Sequence, residues 1–212
     1  VGTIDDDPKQ GMGVTRERKV AIARREFELL TKKYGISPTD IYWDPLVFPC
    51  GTGDANYTGS APETIEGIRL LKAEFPGTRT VLGISNISFG LPNTGREVLN
   101  AVFLYHCVQA GLDLAIVNSQ KLERYASLSE MDRAICEDLL FVRGVDPIAA
   151  FAKHFRNRPV VDVAKIQAMS LDERLANYIV EGSKEGLAKD LQLKLKEATP
   201  LDIINGPLMK GM

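Results

Sequence analysis

The chain is short of cysteine, of histidine and of any excess of charge. Its three cysteines in 212 residues, Cys50, Cys107 and Cys136, form an odd set without a C-x-x-C spacing. That argues against both a disulfide framework and a structural zinc cluster. Cys107 and Cys136 sit in apolar helical settings, FLYHCVQ and AICEDLL, where a small buried thiol is ordinary packing. The 26 Lys and Arg nearly balance the 28 Asp and Glu, giving a net charge of -2, and no basic block stands out. Neither a nucleic-acid partner nor attraction to a membrane surface is expected from such a surface. No apolar run approaches the roughly 18 residues of a spanning helix. The opening VGTIDDDPKQ has neither a basic region nor an apolar stretch that would export it, so a cytoplasmic protein is expected. His106 and His154 have no nucleophile or carboxylate at motif spacing, which disfavours Ser-His-Asp and Cys-His catalysis. The chain also lacks an initiator Met and opens on VGTI as if inside a strand, so it reads as a piece of something longer.

What is present is an alternation. Thr15 to Tyr34 sets Val20, Ala23, Phe27, Leu30 and Tyr34 at spacings of three and four, which predicts a surface helix closed by Gly35. IYWDPLVF is of strand length, and Pro45, which cannot donate to a ladder, predicts that the strand ends near Asp44. After the loop GTGDANYTGS, Ser60 and Glu63 predict a capping box for a helix bearing Ile65, Ile68, Leu71 and Phe75. TVLGIS reads as a second strand running into Ser85 and Asn86. Thr94 and Glu97 predict a second box, and LDLAIVN a third apolar strand. Ser129 begins a helix through Leu140. Strands alternating with helices, apolar along their length and polar at their C-terminal ends, predict a parallel α/β sheet. Beyond Phe141 the strand signals stop. Residues 141–169 read as a short helix and linker, and Ser170 to Met212 as successive helices too short to close a bundle core.

Asp44, Asn86 and Asn118 all fall at strand ends, where parallel α/β architectures carry their sites. Each has a plainer reading, because Asp and Asn in turns often satisfy only backbone groups. Together, a carboxylate opposite an amide suits a neutral polar heterocycle with adjacent N–H donors. Asp5, Asp6 and Asp7 could contribute to a divalent-metal site, but such cages need more oxygen ligands than this run offers, so a solvated acidic loop is the reading. Gly51-x-Gly53 lacks the third glycine of a phosphate loop and reads as turn chemistry.

IYWDPLVFP, VLGISNISFG, AVFLYHCVQAGLD and LAIVNSQ together resemble the pterin-binding barrel of the cobalamin-dependent methionine synthase family. LANYIVEGSKEG through ATPLDIINGPLMKGM resembles the start of that family's cobalamin-domain helical cap. The resemblance implies the C-terminal part of a TIM (β/α)8 barrel of the dihydropteroate synthase-like type, followed by an all-α segment of a four-helix-bundle cap. Residues 1–140 would hold the end of strand five and strands six to eight, 141–169 a linker with a short helix, and 170–212 the first cap helices. By the family pattern Asp44 holds the pterin's aminopyrimidine edge and Asn86, the catalytic residue, reaches N5. Gly83 and Ser85 flank Asn86 on the same strand, and Ile116 and Asn118 contribute to the pocket wall.

The implied activity is transfer of the N5 methyl of 5-methyltetrahydrofolate to cobalamin and onward to homocysteine. Implied partners are that small-molecule substrate and a corrinoid domain of the same polypeptide, with cobalamin held mainly outside this segment. Zinc is implied only for a homocysteine module, also outside it. Leu46 after Asp44-Pro45 is closer to the methyltransferases that act on corrinoid proteins, whereas Phe89 and the cap segment are closer to methionine synthase. Another pterin enzyme and a non-catalytic docking module remain as alternatives. The length falls short of the roughly 250 residues of a closed barrel, and the isolated chain is expected to be inactive, with two open sheet edges.

Overall fold

A computed structural model describes residues 1–9, 11–156, 169–181 and 186–211. The chain divides into two compact units, Val1–Arg158 and Pro159–Met212. Among the described residues no helix is long and apolar enough to cross a membrane.

The first unit is built on three short parallel strands, β1 (Tyr42–Trp43), β2 (Arg79–Gly83) and β3 (Leu114–Ile116), in that spatial order. Tyr42 pairs with Arg79, and Val81, Leu82 and Gly83 pair with Leu114, Ala115 and Ile116. Gly2 forms a parallel bridge to Asp44, so the opening VGTI lies along the free side of β1. Strand β1 stops at Trp43, with Pro45 two residues on, as a residue without an N–H requires.

Among the described residues five α-helices accompany the strands: α1 (Arg16–Glu28), α2 (Ser60–Glu74), α3 (Asn93–Gln109), α4 (Glu130–Leu140) and α5 (Pro147–Arg156). Thr15 caps α1 by accepting from Arg18 N, and a π-helical turn, Leu29–Lys33, extends it to a left-handed Gly35. Val20 and Ala23 are buried with Trp43, Leu71 and Phe75, while Tyr34 at the end of the expected stripe stays exposed. A larger core joins Ile68, Leu82 and Ile84 to Leu99, Val102 and Phe103 of α3 and to Phe151 and Phe155 of α5. The indole of Trp43, fully buried, donates to Thr78 Oγ1 at 3.0 Å.

Two expected capping boxes are replaced. Helix α2 is preceded by left-handed Gly59, and Glu63 takes the guanidinium and backbone N–H of Arg16, both at 2.6 Å, instead of closing on Ser60. A full positive charge outcompetes a neutral N–H for the carboxylate. Thr94 lies inside α3 and donates to Phe155 O at 2.6 Å, anchoring α5. Ser129 does cap α4. Strand β3, apolar in sequence, is exposed along its whole length, with Ile116 at 67%. It has no strand on its outer side among the described residues.

In the second unit the Ser170–Glu173 pair forms a reciprocal cap on α6 (Leu171–Glu181), since each side chain meets the other residue's backbone N–H. Helix α7 (Leu187–Lys194) begins at left-handed Gly186. Arg174 holds Asp190 at 2.7 and 3.0 Å, and Tyr178 adds a third bond to that carboxylate. Thr199 and Asp202 box the start of α8 (Pro200–Ile203). Of the short helix and linker expected over 141–169, residues 157–168 lie outside the described residues.

Candidate functional site

The turn leaving β1 is held at nearly every polar backbone atom. Asp44 N donates to Val1 O at 2.8 Å and Asp44 O accepts from Thr3 N at 2.9 Å, so both backbone groups are fixed by the opening segment. Asp44 Oδ1 accepts from Leu46 N at 2.9 Å. Leu46 has φ +63°, a left-handed conformation that costs an L residue roughly 1–2 kcal/mol. Three successive carbonyls beyond Asp44 are held by side chains from three other elements. Lys19 of α1 donates to Pro45 O at 2.6 Å, and Thr64 of α2 to Leu46 O at 2.9 Å. Asn86, beyond β2, donates through Nδ2 to Val47 O. The strained residue thus sits between anchored neighbours, which is what allows it to persist.

Lys19 is fully buried. Its ammonium also donates to Gly13 O at 2.7 Å and lies 5.3 Å from the centroid of the Phe48 ring. Burial pushes this ammonium down to about 8, against the pull of the Glu63 and Asp44 carboxylates. Its charge is therefore held at a cost in the folded state.

Strand β2 runs into a 3-10 turn, Ile84–Ser88, that exposes Ser85 and Asn86. One amide N–H of Asn86 serves Val47 O, leaving a second N–H and the carbonyl to act outward. Gly83, with φ -81°, needs no glycine for its backbone, and an added Cβ would meet nothing within 4 Å. At β3, Asn118 Oδ1 accepts from Gln120 N at 3.0 Å and Asn118 O from Lys121 N at 3.2 Å, a self-contained turn. Ser85, Ile116 and Asn118 line a cleft of about 310 Å³ with Glu97, Asn100 and Leu122.

The structure therefore brings the Asn86 amide, from the turn beyond β2, onto the turn that carries Asp44, and sets Gly83 and Ser85 beside Asn86. Ile116 pairs with Gly83, and Asn118 faces a separate cleft that Asp44 and Asn86 do not line. Sequence reasoning missed Lys19, Thr64 and Asn100. Lys19 had a signal, because it stands four residues before Ala23 on the apolar stripe of α1, where a cation needs a buried partner. The acidic run pairs with α1: Arg18 takes both Asp5 oxygens at 2.7 Å, and Arg25 lies 3.4 Å from Asp6. Both histidines meet carboxylates far away in sequence. His106 lies 3.1 Å from Glu137 and His154 2.8 Å from Asp132, linking α3 to α4 and α4 to α5.

Residues 2–118 match the pterin binding enzyme family, a span that contains every one of these strand-end residues. The chain belongs to that family. Residues 171–212 match in addition the B12 binding domain. The chain is 38% identical over 218 residues to the methionine synthase of Mycobacterium tuberculosis (strain ATCC 25618 / H37Rv), covering 99% of this chain and 18% of that protein. The methionine synthase of Mycobacterium leprae (strain TN) gives the same identity and coverage. The chain thus spans about a fifth of the length of the curated relatives it matches.

Proposed function

We propose that this chain is the C-terminal part of the pterin-binding barrel of a cytoplasmic cobalamin-dependent methionine synthase, with the first helices of its cobalamin cap. Its role is then to hold 5-methyltetrahydrofolate while the N5 methyl group leaves. The observation that carries this is the pinned turn that carries Asp44 and is held by the Asn86 amide, beside a glycine whose outward face is open. On this reading VGTI is the end of strand five, β1 to β3 are strands six to eight, residues 1–140 are barrel, 141–169 linker and 170–212 cap.

Each residue has a physical task. Asp44 Oδ1 takes one backbone N–H, and its carboxylate keeps acceptor sites for the paired N–H donors of an aminopyrimidine edge. Gly83 leaves room for the flat ring to approach the strand, Ser85 flanks it, and Ile116 and Asn118 are assigned to the outer wall across the adjoining cleft that Ser85 also lines. When the N5–CH3 bond breaks, its electron pair stays on N5. A donor there offsets charge that develops only in the transition state. Asn86 has a second N–H for this and does not titrate, so the proton itself comes from solvent. The corrinoid, when bound, supplies the nucleophile that takes the methyl group. Residues 171–212 contain neither His nor Cys, so they would offer no imidazole or thiolate to its metal. Zinc and homocysteine belong to another module of the polypeptide.

The test is single-turnover methyl transfer in the full-length polypeptide. Asn86→Ala should slow the transfer step about a hundredfold while weakening 5-methyltetrahydrofolate binding much less. An unchanged transfer rate contradicts the role of Asn86.

A further inference from the structure

We infer that Lys19 is a positioning residue of the pterin site: its buried ammonium sets the carboxylate of Asp44 through the carbonyl of the next residue, Pro45. This deepens the function proposed above and rests on it.

The geometry is specific. Lys19 Nζ has three N–H bonds, and two of them end on carbonyls at 2.7 and 2.6 Å, Gly13 O and Pro45 O. The Phe48 ring lies 5.3 Å from the ammonium and faces it with its negative surface. Gly13 N in turn donates to Thr3 O at 2.8 Å, and Thr3 N donates to Asp44 O at 2.9 Å. The lysine therefore grips the Asp44 turn from both sides, directly at Pro45 and through Gly13 and Thr3 at Asp44 itself. Its stem lies against α2 at the one kind of residue that admits it, because a Cβ on Gly67 would stand 2.7 Å from Lys19 Cδ. Glu63 and Asp44 are the carboxylates that act on this ammonium, and Glu63 is committed to Arg16 at 2.6 Å. A buried cation with no carboxylate in direct contact among the described residues serves poorly as a stabilising element, since its charge is desolvated for two neutral acceptors. It serves well for fixing one backbone conformation, here the pairing of Asp44 with left-handed Leu46.

Discrimination at the pterin edge is the readout, because a loss of folded protein lowers binding capacity without changing a ratio of affinities. The measurement is Kd for 5-methyltetrahydrofolate and for its analogue with hydrogen in place of the 2-amino group, using the full-length methionine synthase proposed above. Wild type should prefer the parent by at least about a hundredfold. Asp44→Asn should lose most of that preference, and Lys19→Met should lower it to within about tenfold, with little further loss when the two are combined. Gly67→Ala, which keeps the lysine but displaces its stem and with it the ammonium from Pro45 O, should lower it too and serves if Lys19→Met does not fold. A full preference in Asp44→Asn overturns the pterin reading and the inference with it. Loss in Asp44→Asn with full preference in Lys19→Met or, if that variant does not fold, in Gly67→Ala overturns the inference alone.

Discussion

After β1, three consecutive carbonyls are tied to side chains from α1, α2 and the turn beyond β2. After β3, Asn118 is held by bonds from Gln120 and Lys121 within its own turn, and Ile116 before it is 67% exposed. The two strand ends carry residues of one proposed pocket, yet one is preassembled and the other open. A carboxylate that recognises a planar edge must be held to within a fraction of an ångström, which takes fixed neighbours. A wall residue that supplies only surface needs no such frame.

The largest expected effect concerns the lysine beneath the pinned turn. Its folded value of about 8 lies below the ordinary 10.5. Between those values the unfolded chain binds more protons, so this group makes the fold more stable as pH rises from 8 to 10.5, and its penalty is fully present below 8. The stability of wild type minus that of Lys19→Met should increase by about 3 kcal/mol over that window. Urea denaturation followed through the buried, single Trp43 measures it, and a difference that stays flat or falls would contradict the burial of the charge.

Gly67→Ala comes next, with a loss of about 1–3 kcal/mol from crowding the lysine stem. Removing the hydroxyl that holds the middle carbonyl, in Thr64→Val, should cost about 1 kcal/mol. At the other strand end, Asn118→Ala should stay within about 0.5 kcal/mol of wild type, because its bonds are local and exposed. A loss at Asn118 equal to that at Thr64 would erase the contrast between the two ends.

Periodicity read the alternation of strands and helices correctly, and Pro45 marked the end of β1, because both follow from backbone chemistry that a sequence displays directly. The capping boxes at Ser60 and Thr94 were misread because distant partners, Arg16 and Phe155, engage Glu63 and Thr94 themselves. Local motif logic cannot include a competitor 47 or 61 residues away. Strand β3 was read correctly as a strand, and its apolar residues lie exposed with no strand on their outer side among the described residues, as an open sheet edge leaves them. Of the site, strand-end positions drew attention to Asp44 and Asn86, and the resemblance supplied their roles. The frame around them stayed hidden, because Lys19 and Thr64 meet the turn across sequence separations of 26 and 18.

The central claim is that the pinned turn presents Asp44 to the pterin edge while the open strand end contributes little. Calorimetric titration of 5-methyltetrahydrofolate into the full-length polypeptide, comparing Asp44→Ala with Asn118→Ala, tests it most directly. The account predicts at least about a hundredfold weaker binding for Asp44→Ala, and less than about fivefold for Asn118→Ala. Unchanged affinity in Asp44→Ala, or a larger loss in Asn118→Ala, would contradict it.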